Sequence, residues 1–151
     1  MKNLLIITVL FVIGFVSSCK KDETTTPAKS KKEYLSAKTW IVSTVTAAGG
    51  SVSIYKRGNT SANNLYDLDK VALKFNSDGS ITGTDNTGKA FSGAKWSLSA
   101  DETKLTISGT NITGLDGQAT VVQVTDTILE VKGTVTVQGL TGEGTIIAIP
   151  Q

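Results

Sequence analysis

Histidine is absent from the 151 residues, cysteine occurs once, proline twice, and aromatic residues make up 6% of the chain. Without histidine there is no imidazole base and no imidazole metal ligand. This disfavours serine- or cysteine-triad hydrolysis and histidine-ligated zinc or iron catalysis. A single cysteine cannot form an intramolecular disulfide. Charge is sparse as well: 19% of residues are charged and the formal net charge is +2. Neither sign dominates, so no nucleic-acid partner is expected. No carboxylate pair has convincing catalytic spacing, and no cofactor is implied. The sequence therefore reads as a protein that is not an enzyme.

The one long apolar run is Leu4 to Val16, broken only by Thr8 and Gly14. Its thirteen residues fall short of the roughly 20 that a bilayer-spanning helix needs. With Lys2 before it, the run fits a signal-peptide core. Val16-Ser17-Ser18-Cys19 follows at once. It resembles the bacterial lipobox, in which the cysteine is acylated and becomes the mature N-terminus. That implies residues 1–18 are a signal peptide and Cys19 a lipidation site, which also accounts for the odd cysteine. Two or more acyl chains anchor stably to a membrane where one is marginal. Lys20-Lys21-Asp22-Glu23 resembles the charged stretch that follows the cysteine in surface-exported Bacteroidetes lipoproteins. The expected location is an outer-membrane lipoprotein, on the periplasmic face or at the cell surface.

Residues 19–33 have almost no apolar content apart from the cysteine itself and cannot offset their ordering entropy by burial, so they read as a flexible tether. From Tyr34 onward, nine basic residues face ten acidic ones, so the remaining domain, 34–151, is close to neutral. Ser30-Lys31-Lys32-Glu33 has the capping-box pattern and predicts a short helical turn at the start of that domain.

Beyond Thr39 the apolar period is two. Val71, Leu73 and Phe75 alternate with smaller or polar residues, as do Trp96 and Leu98, Leu105 and Ile107, Leu129 and Val131, and Val135 and Val137. This marks strands with one buried and one wet face. Turn signals separate the runs at Asn76-Ser77-Asp78-Gly79, Asp85-Asn86-Thr87-Gly88, Asp116-Gly117 and Lys132-Gly133. The predicted strands are 39–48, 51–57, 70–76, 80–85, 90–99, 103–109, 119–125, 127–132, 134–139 and 144–149. Ile147 and Ile149 are expected to face inward with the alternating residues. Segment 58–68 is the longest loop, with a helical turn expected near Asn64. Connections this short suit antiparallel neighbours and leave no room for crossover helices. The expected fold class is all-β, a single antiparallel barrel of about eight to ten strands, with a β-sandwich as the alternative.

The order of several segments is familiar. Leu35-Ser36-Ala37-Lys38-Thr39-Trp40, Phe75-Asn76-Ser77-Asp78-Gly79-Ser80, Trp96-Ser97-Leu98-Ser99-Ala100-Asp101, Leu105-Thr106-Ile107 and Thr127-Ile128-Leu129-Glu130-Val131 follow one another. Taken together they resemble the small lipocalin-like lipoproteins of Bacteroidetes. The resemblance implies an up-and-down barrel of about eight strands, with Trp40 plugging its bottom. Asp126-Thr127-Ile128 resembles the O-glycosylation acceptor of the same bacteria, which makes Thr127 a possible modification site.

Candidate site residues follow. Tyr55, Arg57, Asn64 and Tyr66 flank the long loop and offer aromatic, basic and amide groups at a barrel mouth. Trp96 could line a pocket or serve as core. Asp67 and Asp69 could hold calcium, but fit better as backbone-amide acceptors at a loop-to-strand junction. Asn76 to Ser80 has a faint calcium-loop look and fits a β-turn better. No metal site is expected. Two functions remain open. One is a binding module for a small apolar or amphipathic ligand. The other is a structural protein with a side-chain-filled barrel that contacts another envelope component. An eight-strand barrel is just wide enough for either.

Overall fold

The computed structural model describes residues 28–59, 64–137 and 139–151. The export segment, Cys19 and the first part of the tether lie outside them. The chain opens with a short helix, α1 (Lys31–Ala37). Nine strands follow: β1 (Thr39–Ala47), β2 (Val52–Lys56), β3 (Ala72–Phe75), β4 (Ser80–Thr84), β5 (Ala90–Leu98), β6 (Lys104–Ser108), β7 (Gly117–Val124), β8 (Leu129–Val137) and β9 (Leu140–Pro150). A single 3-10 turn at Ala48–Gly50 joins β1 to β2.

The sheet runs β2-β1-β3-β4-β5-β6-β7-β8-β9, every pair antiparallel, and β9 pairs back onto β1. This makes a closed barrel of eight strands with β2 as an extra ninth, so the barrel holds and the sandwich does not. The closing ladder runs from Trp40↔Pro150 to Ala47↔Gly144. The opposite edge of β1 is shared: β3 pairs with Thr39–Ile41 and β2 with Thr44–Ala47. The outer edge of β2 is covered in turn. Leu65 N–H donates to the Ile54 carbonyl at 2.9 Å, and Asn64 clips Lys56 from both sides of its peptide. These bonds shield the Ile54–Lys56 part of that edge from pairing with another strand.

The strands alternate as the sequence requires, but β-bulges reset the phase. Ser43 is an extra residue opposite β9, so Trp40 and Val42 point inward before it, and Val45 after it. A second bulge lies between Val121 and Gln123; Val121 and Val124 are buried while Val122 stays 45% exposed. A third lies in β5, where Gly93 has φ +91°.

Three expectations need correction. The Lys132-Gly133 turn is not formed; residues 129–137 are one strand, β8, and the chain reverses at Gly139. Gly133 is instead a point of close approach. A Cβ there would stand 3.2 Å from the Ala119 Cβ on β7. In β9 the inward set is Gly144, Ile146 and Ala148, not Ile147 and Ile149. The apolar run Ile146-Ile147-Ala148-Ile149 does not alternate, so its phase comes from pairing alone. Ile149 pairs with Ile41 on the outer face. The helical turn expected near Asn64 is not formed among the described residues; 60–63 lie outside them.

Of the other inward expectations, Val137 falls on a side chain outside the described ones, and the rest agree. Phe75, Trp96, Leu105, Leu129, Val131 and Val135 are buried, and Leu98 and Ile107 pack partly buried against them. The two ends of the barrel differ. At one end sit α1 and the β3–β4, β5–β6 and β7–β8 turns. Ser30 caps α1 with the full reciprocal capping box that the sequence predicts. Leu35 is fully buried, and Lys74 Nζ donates to the Ser36 carbonyl at 2.6 Å. Lys31 N–H donates to the Glu102 carboxylate at 3.0 Å. This end is sealed. The other end carries the described parts of the 57–71 loop and the 85–89 and 109–116 loops.

Candidate functional site: the barrel cavity

Inside the barrel is a cavity of about 300 Å³. It lies off-centre, toward β6–β9. Trp40, Phe75 and Leu129 form its floor near the sealed end, and Val42, Leu73, Leu105, Ile107, Val131, Ile146 and Ala148 form its walls. All are apolar. Trp40 is held in place by its indole N–H, which donates to the Leu35 carbonyl at 2.9 Å. It is buried and plugs the bottom of the barrel. The other half of the interior is filled. Ile81, Ala94 and Trp96 are buried there, and Trp96 meets Phe75 edge-to-face with ring centroids 5.4 Å apart.

The rim is built by Leu115, Asp116, Gly117 and Gln118 on one side and by Gly133 and Thr134 on the other. The β7–β8 ladder ends at Ala119↔Gly133, whereas β8 runs on to Val137 beside β9. The opening therefore lies where β7 and β8 part, next to the 109–116 loop.

That loop is rigidly organised. Asp116 accepts from the Gly109 N–H at 2.8 Å, from the Thr110 N–H at 3.1 Å, and from the Thr110 hydroxyl. Thr110 Oγ1 in turn accepts from the Ile112 N–H at 3.1 Å. Ile112 tucks into the core, and Leu115 packs against it from the cavity side. In the sequence, Asp116-Gly117 marks this connection as a turn. The missed signal is the pair Ile112 and Leu115, two large apolar residues in an otherwise polar connection.

The residues singled out from sequence occupy other roles. Tyr55 is fully buried and donates its hydroxyl to Asp69 at 2.6 Å. Burial, and then this hydrogen bond, push its pKa far above the ordinary tyrosine value, so it remains a donor. Arg57 spans three carbonyls: Val42 at 2.7 Å, Asp69 at 2.8 Å and Leu68 at 3.2 Å. It ties the long loop to β1. Asn64 is the clip on β2. Tyr66 donates to the Thr136 carbonyl at 3.2 Å and borders a side cavity of about 30 Å³ that shares Leu115 and Val135 with the main one. Trp96 donates to the Asn76 carbonyl at 2.8 Å and does not line the main cavity. These five residues do not converge; of them only Tyr66 stands beside the mouth. Asp67 accepts from the Asp69 N–H at 3.0 Å, as an ordinary loop-to-strand junction does. Asn76–Ser80 forms a turn, with Asp78 accepting from both the N–H and the hydroxyl of Ser80. Thr127 is exposed in the β7–β8 turn at the sealed end, two residues before β8 begins.

Fold and cavity thus define a closed antiparallel barrel with an apolar interior, sealed at one end and open at the other. No protein-family model matches the chain, and no curated protein matches it.

Proposed function

We propose that the chain is a lipid-anchored envelope lipoprotein whose barrel holds a small apolar or amphipathic ligand. The single observation that carries the binding half is the cavity. Its volume lies at the lower end of the roughly 300–1,000 Å³ typical of ligand pockets, and its walls are apolar with polar groups confined to the rim. A cavity of this size forgoes several kcal/mol of packing in a domain whose whole stability is about 5–15 kcal/mol. A barrel built only as a scaffold has no reason to forgo it. This supports the binding module over the side-chain-filled alternative. The anchor half rests on Val16-Ser17-Ser18-Cys19 after the apolar run Leu4–Val16, and on the tether that follows.

Native mass spectrometry of the full chain, purified gently from its own envelope, tests the binding. A stoichiometric adduct that is lost on denaturation is expected. A clean mass, with no uptake from an envelope lipid extract, would overturn it and leave a protein partner as the better reading. The anchor has its own test. Cys19→Ala is expected to lose acyl labelling and to leave the membrane fraction; a variant that stays labelled and bound rules out lipidation at Cys19.

A further inference from the structure

The charge arrangement around the cavity says which ligands it takes, provided that the binding reading above is right. Asp116 is the one charged side chain among the described residues that line the cavity; none of them is lysine or arginine. Its carboxylate is pinned to the 109–116 loop by Gly109 and Thr110, so it cannot swing away from the rim. Gly114, Gly117 and Gly133 complete the border without side chains, which leaves peptide groups facing the entry. A hydroxyl or an amine arriving there meets acceptors. A carboxylate meets a fixed like charge, with no cation on the lining to offset it.

We propose that the cavity selects by head-group charge: it accepts compact neutral or cationic amphiphiles and discriminates against carboxylates. Size narrows the class further. The cavity is about twice the ~150 Å³ that suffices for benzene. The fitting body is one or two rings, or a short alkyl chain, and the head group stays at the rim between Asp116 and Thr134.

Three probes with a common body test this: phenylpropanol, phenylpropylamine and phenylpropanoate, titrated calorimetrically into the full chain at neutral pH and low salt. The alcohol and the amine should bind and perturb the fluorescence of Trp40 in the cavity floor. The carboxylate should bind about tenfold more weakly, as expected for like charges meeting at a half-wet rim. Gln118→Lys adds a cation to the rim while leaving the Asp116 loop contacts intact, and should remove most of that difference. Ala148→Phe, which places a ring in the cavity, should abolish binding of all three at unchanged circular dichroism. Equal affinities, or a carboxylate that binds tightest, overturn the charge selection and leave the binding module standing. Unaltered binding by Ala148→Phe places the probes elsewhere and overturns the inference too. If none of the three binds, the binding reading fails and this one with it.

Discussion

Arg57 shows how a residue that reads as a binding group becomes a structural one. Its three donated bonds tie the Val42 carbonyl on β1 to the Leu68 and Asp69 carbonyls of the long loop. Arg57→Ala unties the loop from β1, leaving the Leu68 carbonyl only its bond from the Val71 N–H, and should cost about 2–3 kcal/mol in urea unfolding. A polar loop between strands advertises ligands and clamps with the same residue types, so the two roles were not separable in sequence. Glycine carries a similar hidden constraint. At Gly83 a Cβ would fall 1.9 Å from the Ala72 carbonyl oxygen on β3. Gly83→Ala should therefore force β3 and β4 apart and cost about 3 kcal/mol by calorimetry. A wild-type melting temperature would show that the strands can yield. The exposed turns hold acids of another kind. The Ser99 hydroxyl, then the N–H and hydroxyl of Thr103, hold Asp101 down to about 2, against an ordinary 3.8. A lowered folded value means the turn is at full strength above about pH 4 and weakens as pH falls toward 2. An NMR titration of the Asp101 carboxyl should place its midpoint near 2; a midpoint at the ordinary value would refute this account.

At the scale of elements, α1 illustrates a feature that was legible. Ser30 and Glu33 announce the cap, and both halves of it form. The sequence did not reveal the use of the helix. Its seven residues would not persist alone in water, and Leu35, wholly buried under the barrel end, is what keeps it there. Leu35→Ala should cost about 3 kcal/mol and expose the Trp40 indole that bonds to its carbonyl. A red shift in tryptophan emission would report this. Most strands were found by their alternation because one face is wet. Where both faces are apolar, as at Ile146–Ile149, alternation vanishes and does not mark the inward set. Where a bulge intervenes, as at Ser43, the phase shifts by one residue with no compositional trace. Gly133 hides its role for a related reason. A glycine that relieves crowding between strands looks the same in a sequence as one that turns the chain.

For the whole molecule, alternation leaves barrel and sandwich open, and the expectation of a barrel rests on the family resemblance and on the advantage of removing unpaired edges. The closing contact itself, β1 against β9, spans the full described strand order and has no local signature. A fold that ends on such a distant pairing should form slowly for its size, in milliseconds to seconds rather than microseconds. Stopped-flow refolding followed by tryptophan emission measures this directly. The cavity is not legible, because it depends on which interior positions remain small, and Ala119, Gly133 and Ala148 are inconspicuous among the many small residues of the chain.

Both ends of the described domain stand at the sealed end. α1 packs there, and the Gln151 N–H donates to the Thr39 carbonyl at 2.9 Å. The domain is thus a cup whose two handles emerge from its base. It should tolerate being spliced as a cassette into a surface loop of a host protein, or rejoined end to end and reopened at the β5–β6 turn of the sealed end, with its mouth unobstructed in either case.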